Sequence, residues 1–367
     1  MNKMAVIIGS IAAAVIAAIL VSFPTAPVPI PSPAQINATG IEVVATQLKV
    51  PWAIDFTDDG RIFFTERIGT VRVIKDGMLL DEPVFATEVA KVSEAGMLGL
   101  ALDPNFSENH FFYIYYTYVE NGNLWNRVAR LTEQDNEASD HKVLIDKIPA
   151  AGLHDGGRIK FGPDGKLYIT TGDAANPSLS QDLNSLAGKI LRISPDGTIP
   201  DDNPFPNSPV YSYGHRNPQG LAWHPDTGVL YSTEHGPTGN DEINIIKIGK
   251  NYGWPIEQCS GAQEYAKSIV CYTVTIAPAG ATFYSSDKLP YKNNLFFGTL
   301  RGAHVEQVSF DEQGNVARLE NFLEGFGRIR DVVEGPDGYL YITTSNRDGR
   351  GLPASDDDKI LRITKAR

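Results

Sequence analysis

A short turn centred on glycine or asparagine precedes a run of β-branched and aromatic residues at six places along the chain. The turns are Asp58-Asp59-Gly60, Ser107-Glu108-Asn109, Pro163-Asp164-Gly165, Pro225-Asp226-Thr227-Gly228, Lys292-Asn293-Asn294 and Pro336-Asp337-Gly338. Self-similarity at a period of roughly 45 to 65 residues is what a propeller blade of about four strands leaves in a sequence. The repeat therefore predicts an all-β fold, a six-bladed β-propeller of four-stranded antiparallel sheets. We interpret the turn aspartates as structural, because such side chains bond to nearby backbone amides.

Alternating apolar and polar residues between the turns predict further strands. These segments are Ile41 to Val50, Asn126 to Leu131, Lys189 to Ile193, Glu242 to Ile248, Ala303 to Phe310 and Lys359 to Thr364. Glycine and proline are abundant, at 34 and 24 residues, and long amphipathic helices are scarce, which favours all-β over α/β. We expect Lys359 to Thr364 to pair with the first blade and close the ring, because closure removes exposed strand edges.

The chain begins with a segment that suits a membrane anchor or a secretion signal. Met4 to Phe23 carries no charge and is long enough to cross a bilayer as a helix. No clear cleavage site follows, so an uncleaved anchor over residues 1–23 is the favoured interpretation. Residues 24–40 are rich in proline and predict an extended tether, and residues 41–367 form the catalytic propeller. The protein is therefore expected outside the cytoplasm, either membrane-anchored or secreted.

Charge and cysteine content narrow the function further. The formal net charge of -12 argues against a nucleic-acid partner, because phosphate binding needs clustered lysine and arginine. Cys259 and Cys271 are the two cysteines, and an oxidising compartment permits a disulfide between them. Two unpaired thiols are the alternative, whereas a metal site would lack its remaining ligands.

Three polar loops contain more reactive side chains than turns and strands require. In the first, His154 precedes two glycines, and Asp173 follows the next strand; a carboxylate that orients a histidine makes it a positioned base. The second contains Arg216, Asn217 and Gln219 between glycines. The third, from Glu234 to Glu242, is rich in glycine, and its backbone carbonyls can coordinate calcium. Each loop taken alone is also compatible with a purely structural role.

Together, in this order and spacing, the three loops and the segment Asn251-Tyr252-Gly253-Trp254-Pro255 resemble a known family. It is that of the soluble, pyrroloquinoline quinone (PQQ) dependent glucose and aldose sugar dehydrogenases, also called glucose/sorbosone dehydrogenases. The resemblance runs from about Ile41 to the C-terminus. It implies an oxidoreductase that takes aldose sugars, oxidises the anomeric carbon to a lactone and uses PQQ and calcium.

The resemblance also implies roles for individual residues. His154 corresponds to the base that removes the hydroxyl proton while hydride passes to the quinone, Asp173 to the carboxylate that orients it, and Arg216 to the residue over the quinone carbonyl. The remaining implied contacts are Asn217 and Gln219 lining the cofactor and sugar pocket, Thr275, Arg301, Arg328 and Arg330 at the cofactor's carboxylates, and the carbonyls of Gly236 and Pro237 on calcium. Several cations suit a cofactor that carries carboxylates, and calcium would polarise the quinone carbonyl.

Two positions depart from the family pattern. Glu94 falls where glucose-oxidising relatives usually have a glutamine that contacts the sugar, so we assign it to the substrate site together with Gln219. His235 stands where a glutamine is often found beside the calcium carbonyls. The loops between strands are short, which predicts an open cleft with loose sugar selectivity.

Other functions remain compatible with parts of the sequence. A six-bladed calcium lactonase would need several carboxylate and asparagine side chains around a channel metal, and a non-catalytic binding module would not need His154, Asp173 and Arg216. Asp201-Asp202-Asn203 and Asp356-Asp357-Asp358 are either structural calcium sites or solvated turns. No haem or iron-sulfur motif is present, so a dehydrogenase of this sequence needs a separate electron acceptor.

Overall fold

The computed structural model describes residues 39–262 and 264–365, and six antiparallel sheets account for almost all of its regular structure. The predicted anchor (1–23) and nearly all of the predicted tether (24–40) lie outside these residues. Within the described part, no helix combines the length and apolarity needed to cross a bilayer.

The first three sheets follow one another along the chain. Sheet one contains β2 (Pro51–Phe56), β3 (Ile62–Glu66), β4 (Thr70–Lys75) and β5 (Met78–Leu79), with β6 (Phe85–Ala86) paired to β4. Sheet two contains β7 (Met97–Leu102), β8 (Phe111–Glu120), β9 (Asn123–Gln134) and β10 (Glu137–Pro149), with helix α1 (Phe106–Asn109) before β8. Sheet three contains β11 (Ile159–Phe161), β12 (Leu167–Thr171), β13 (Lys189–Ile193) and β14 (Val210–Tyr213), with a 3-10 turn at Pro177–Ser180.

The other three sheets complete the ring. Sheet four contains β15 (Pro218–Trp223), β16 (Leu230–Glu234), β17 (Asp241–Ile246) and β18 (Val270–Tyr272). Sheet five contains β19 (Pro278–Phe283), β20 (Leu295–Thr299), β21 (His304–Phe310) and β22 (Val316–Glu324). Sheet six contains β23 (Ile329–Glu334), β24 (Leu340–Thr344), β25 (Ile360–Lys365) and β1 (Thr39–Ala45). The predicted six-bladed propeller of four-stranded antiparallel sheets is confirmed, with the short β6 as an additional strand in the first sheet.

The ring closes at its sixth sheet, where the first and last strands of the chain pair. β1 runs antiparallel to β25, with Ile41 opposite Ile363 and Val43 opposite Leu361. The last strand was predicted to pair with the first blade; instead, the first strand joins the last blade. The pairing of β1 with β25 closes the ring, because the blades cannot separate unless it breaks.

The turn aspartates have the structural role predicted for them. Asp164 accepts from the backbone amide of Lys166 at 3.1 Å and from the hydroxyl of Tyr168 at 3.0 Å. The same arrangement recurs in the sixth blade, where Asp337 accepts from the hydroxyl of Tyr341 at 2.9 Å. The repeat in the sequence is therefore a repeat of hydrogen bonds as well as of strands.

Apolar side chains from neighbouring sheets pack together to form the core. One cluster joins the first three blades through side chains such as Phe63, Tyr113, Ile114 and Leu191, all without solvent exposure. The first strand of each blade faces the central axis and contacts the first strand of most neighbouring blades. The loops that enter these inner strands consequently meet at one end of the channel.

Candidate active site

A cavity of about 460 Å³ opens where the loops entering the inner strands converge. Its size is within the range of small-molecule and cofactor sites. The wall contains six arginines but only two carboxylates. The charged and catalytic candidates on this wall are Glu94, His154, Arg67, Arg216, Arg301, Arg328, Arg330, Asp348 and Arg350. A strongly acidic chain therefore concentrates positive charge in one place, which suits an anionic ligand.

His154 is held at the wall by the carboxylate predicted for it. Nδ1 of His154 lies 2.7 Å from Oδ1 of Asp173, which is fully buried. The other oxygen, Oδ2, accepts from the indole Nε1 of Trp254 at 2.9 Å. Because Nδ1 faces the carboxylate, Nε2 of His154 is left to exchange a proton with a ligand. About 17% of the His154 side chain is exposed, so a ligand can reach it.

Arg216 lies beside the same indole ring. Its guanidinium carbon is 5.3 Å from the centre of the Trp254 ring, and its Nη1 donates to the backbone carbonyl of His235 at 3.2 Å. The backbone amide of Arg216 donates to the carboxylate of Glu234. Nε of Arg216 is buried and makes no hydrogen bond to any described residue. The guanidinium therefore keeps donor capacity for a molecule in the cavity.

Arg328 and Arg330 share one carboxylate. Asp348 accepts from Nε of Arg328 at 2.8 Å and lies 3.5 Å from Nη2 of Arg330. Burial lowers the pKa of Arg330 to about 9, although Asp348 partly offsets this effect. Nη1 of Arg330 also donates to Oε1 of Gln219 at 2.9 Å, and its buried Nε has no partner among the described residues. Arg301 lies on the same wall with its side chain exposed.

Glu94 lies directly against the candidate base. Its Oε2 accepts from the backbone amide of His154 at 3.2 Å, and its Oε1 forms an ion pair with Arg350 at 2.7 Å. Both side chains line the cavity. Glu94 is therefore placed to contact whatever molecule His154 contacts, as expected of a substrate-site residue.

Asn217 is one predicted site residue whose side chain is not part of the cavity wall. It is fully buried, and its Oδ1 accepts from the backbone amide of Gly156 at 3.0 Å. Its Nδ2 lies 3.5 Å from Nδ1 of His235. Asn217 thus supports the residues behind the wall, whereas we expected it to line the pocket.

Asp241 organises the loop predicted to hold calcium. Its Oδ1 accepts from the backbone amide of Gly236 at 2.8 Å. Its Oδ2 accepts from the hydroxyl of Thr275 at 2.8 Å and from two further amides, those of Ile276 at 2.7 Å and Ala277 at 2.8 Å. A single buried carboxylate thereby fixes both the calcium loop and the Thr275 loop at the cavity.

The carbonyls of Gly236 and Pro237 remain available for a cation. Both residues line the cavity, and neither carbonyl oxygen accepts a hydrogen bond from residues 39–262 or 264–365. Calcium readily takes such backbone oxygens as ligands. The same described ranges contain no group of three or more histidine, cysteine, aspartate or glutamate side chains suited to a metal. The donors present therefore fit a cation held by carbonyl oxygens and a bound ligand.

The two acidic runs are occupied by internal contacts. Asp202 forms an ion pair with Arg192 at 2.8 Å, and Asn203 accepts from the same guanidinium at 3.0 Å. In the second run, Asp357 accepts from Nδ2 of Asn346 at 3.1 Å. These carboxylates are engaged by donors of the protein itself.

A larger cavity, of about 700 Å³, lies where the inner strands end. It is lined by residues such as Phe56, Leu102 and Phe161, the last residues of their strands, and none of the predicted site residues contributes to it. The buried ion pair of Arg158 and Asp331, at 2.9 Å, also contacts this cavity. The predicted residues therefore converge on the smaller and more strongly cationic cavity.

Several wall residues were not anticipated. Arg67, Asp348 and Arg350 lie in the cavity wall, and Trp254 bonds to Asp173, although only Trp254 belonged to a motif that we singled out. The dense run of polar residues from Ser345 to Arg350, between two predicted strands, was the available signal. Their contacts depend on loops from different blades, which sequence spacing does not specify.

The two cysteines form the expected disulfide. Cys259 and Cys271 are bonded, with their Cα atoms 5.6 Å apart. Cys271 lies in β18, opposite Glu242 of β17, and the backbone amide of Cys259 donates to the same glutamate. The disulfide thus joins the loop after β17 to the edge of the fourth blade.

Fold and site together define a class, a six-bladed propeller with a histidine–aspartate pair at the edge of a cationic cofactor-sized cavity. Residues 48–361 match the family model described as "Glucose / Sorbosone dehydrogenase". The aldose sugar dehydrogenase YliI of Escherichia coli (strain K12) is 35% identical over 352 residues, which cover 88% of this chain and 94% of that protein. Quinoprotein glucose dehydrogenase B of Acinetobacter calcoaceticus is 33% identical over 58% of this chain and 52% of its own length.

A solved structure agrees with these matches. The PQQ-bound form of aldose sugar dehydrogenase from Streptomyces coelicolor superimposes with a TM-score of 0.80 at 35% identity, covering 89% of this chain and 98% of that one. The chain therefore belongs to the glucose/sorbosone dehydrogenase family, as its motifs predicted.

Proposed function

We propose that this protein is a PQQ- and calcium-dependent aldose sugar dehydrogenase that oxidises the anomeric carbon of sugars to lactones. The observation that carries the proposal is the His154–Asp173 pair, at 2.7 Å, on the wall of an arginine-lined cavity. The relatives named above carry the matching activity and cofactor in their names, which supports the same assignment for this chain.

The residues of the cavity fit PQQ. The cofactor carries carboxylates, and the wall supplies an excess of guanidinium groups, including Arg301, Arg328 and Arg330. The buried Nε atoms of Arg216 and Arg330 have no partner among the described residues, as expected of donors reserved for a ligand. Gly236 and Pro237 would hold calcium through their carbonyls. When bound, PQQ supplies the two-electron acceptor for the hydride that leaves the sugar.

The chain's own residues supply proton transfer and orientation. Nε2 of His154 takes the proton of the anomeric hydroxyl as the hydride leaves the same carbon, and Asp173 stabilises the imidazolium that results. Arg216 would donate a hydrogen bond to the quinone carbonyl oxygen, where negative charge develops. Glu94 and Gln219 orient the sugar next to His154. Since no second redox centre was identified in the sequence, the two electrons pass on to a separate carrier.

The site favours this chemistry over the two alternatives. A calcium lactonase needs acidic side chains gathered around its metal, and the described residues contain no such group. A binding module has no use for a base that is oriented by a buried carboxylate. We further propose that residues 41–367 act as one catalytic unit outside the cytoplasm, where the disulfide is stable, with residues 1–23 as an anchor or signal.

The test adds PQQ and calcium to the purified protein and follows dye reduction with a panel of aldoses. We expect sugar-dependent reduction that needs both additions. In the His154→Ala variant, kcat should fall by about two to four powers of ten, the usual contribution of a positioned base. The dissociation constant of PQQ should change by no more than about threefold, because the base is not a cofactor anchor. Equal losses in kcat and PQQ affinity would contradict the role of His154 as base.

A further inference from the structure

His235, a residue of the cavity wall, has an unpartnered nitrogen in its imidazole ring. His235 lines the cavity, and its Nε2 is buried and makes no hydrogen bond to any residue that the structure describes. Leaving a buried polar atom unsatisfied costs about 1–3 kcal/mol. Most buried polar atoms in native proteins have a partner, so an exception on a cavity wall calls for a ligand.

Asn217 determines which nitrogen of His235 carries the hydrogen. Because Oδ1 of Asn217 accepts from the amide of Gly156 at 3.0 Å, its Nδ2 group is the one that faces His235. Nδ2 lies 3.5 Å from Nδ1 of His235, and an amide nitrogen can only donate. Nδ1 is therefore the acceptor, and the hydrogen of the neutral ring is on Nε2.

The backbone on both sides of this ring is fixed. The amide of His235 donates to the carbonyl of Asn217 at 3.2 Å, and the carbonyl of His235 accepts from Arg216 at 3.2 Å. The backbone of His235 is thus held in place before any ligand arrives, and a preorganised residue loses less entropy on binding.

We infer that His235 binds the cofactor by donating its Nε2 hydrogen to an acceptor oxygen of PQQ. This inference rests on the function proposed above. His235 then supplies an imidazole donor in a wall that also contains guanidinium groups. The buried Asn217 sets the tautomer of this ring. Asn217 then acts as a positioning residue and not as a ligand.

The test compares two substitutions of His235 in the protein freed of cofactor. His235→Gln keeps an N–H donor, whereas His235→Leu keeps apolar volume and removes the donor. Each protein is titrated with PQQ at fixed calcium, with quenching of tryptophan fluorescence as the readout, and kcat and KM are measured after loading. The exposed His141, on the outer strand β10, provides the matched control His141→Gln.

We expect His235→Leu to raise the dissociation constant of PQQ by about tenfold or more, the effect of one hydrogen bond to a charged group. His235→Gln and His141→Gln should stay within about threefold of wild type. His235→Phe serves as a second donor-free variant if His235→Leu unfolds, and melting curves monitor folding in each case.

Two outcomes would overturn the inference alone. In one, a folded donor-free variant binds PQQ as tightly as wild type; in the other, His235→Gln loses as much affinity as His235→Leu. A wild-type protein that binds no PQQ at all would overturn the proposed function together with this assignment, so the two failures are distinguishable.

Discussion

His154 adopts a left-handed backbone conformation, with φ of 62°, which non-glycine residues rarely take. Its carbonyl passes so close to Gly172 that a Cβ atom at Gly172 would lie 1.8 Å from it. Glycine is therefore required one residue before Asp173, and this close approach places the carboxylate within bonding distance of the imidazole. Strained backbone of this kind is frequent at active sites.

At the same scale, we predict that Trp254 is a positioning residue for the base. Trp254→Phe removes the Nε1 hydrogen bond to Asp173 but keeps an aromatic ring beside Arg216. Because a hydrogen bond to a charged group contributes about 1.5–3 kcal/mol, kcat should fall by roughly tenfold or more. KM and the dissociation constant of PQQ should change by no more than about twofold. Steady-state kinetics and fluorescence titration measure the two effects separately.

The matched control for this prediction is Trp125→Phe, since Trp125 lies in β9 of the second blade and does not line the cavity. It should leave kcat unchanged. A fall in PQQ affinity as large as the fall in kcat would contradict the prediction, because it would mean that the indole supports the whole cavity and not the base.

At the scale of elements, residues two apart on a strand lie on the same face of the sheet and can form a buried ion pair. β21 provides an example, because the imidazole of His304 lies 2.8 Å from the carboxylate of Glu306, two residues along the same strand. Nδ1 of His304 also lies 3.0 Å from the carbonyl of Gly302. Burial opposes charging of the ring, but these hydrogen bonds outweigh it and raise the pKa of His304.

We predict that this pair makes stability depend on pH. A raised pKa contributes stability that is fully present below the unfolded value near 6.5 and is lost as the pH rises through the folded value. His304→Gln should therefore lower Tm more at pH 5.5 than at pH 9. The loss of Tm at pH 5.5 should exceed the loss at pH 9 by roughly 2–4 °C. Scanning calorimetry at both pH values measures it.

Glu306→Gln is the matched partner for that comparison. It removes the negative charge from the same pair and should therefore lose the same pH-dependent part of the stability. Suppose instead that the loss of Tm relative to wild type stays constant with pH or grows toward pH 9. This result would show that His304 is not charged in the folded protein at low pH.

At the scale of the whole molecule, the ring depends on pairing between the two ends of the described chain. β1 covers the edge of β25, and Glu42 of β1 forms an ion pair with Arg362 of β25 at 2.8 Å. Ile41 packs against the core between the fifth and sixth blades. Without β1, the N–H and C=O groups of β25 would form an exposed edge that favours aggregation.

We predict that removing residues 1–46 destabilises the propeller, whereas removing residues 1–38 does not. The shorter chain loses the β1 pairing, and its Tm should fall by roughly 5 °C or more. Size-exclusion chromatography should also show self-association through the uncovered edge. The chain that begins at Thr39 keeps β1 and is the control; equal Tm values for the two would mean that the ring closes without this strand.

The fold could be predicted because its signals are local. Turns such as Asp164-Gly165 and the aromatic strands that follow them recur at a regular period, and only a ring of blades buries that many strands. The pairing of β1 with the last blade was missed, because sequence alternation identifies a strand but not its neighbour across the ring. The partner of β1 depends on which strand edge is free once all six sheets are packed.

The site was predicted in part. Motifs contained His154, Asp173 and Arg216, and the structure brings all three to one end of the channel. Motifs could not reveal that Asp348 pairs with both Arg328 and Arg330, or that Asn217 lies behind the wall, because those contacts join separate loops.

The sequence by itself determined the strand repeat and the residue types that carry the chemistry, since each depends on neighbours along the chain. Only the tertiary structure decided which of two channel ends holds the cationic cavity and which polar groups face it. It could do so because side chains far apart in sequence, such as Glu94 and Arg350, become neighbours at 2.7 Å only after the blades close into a ring.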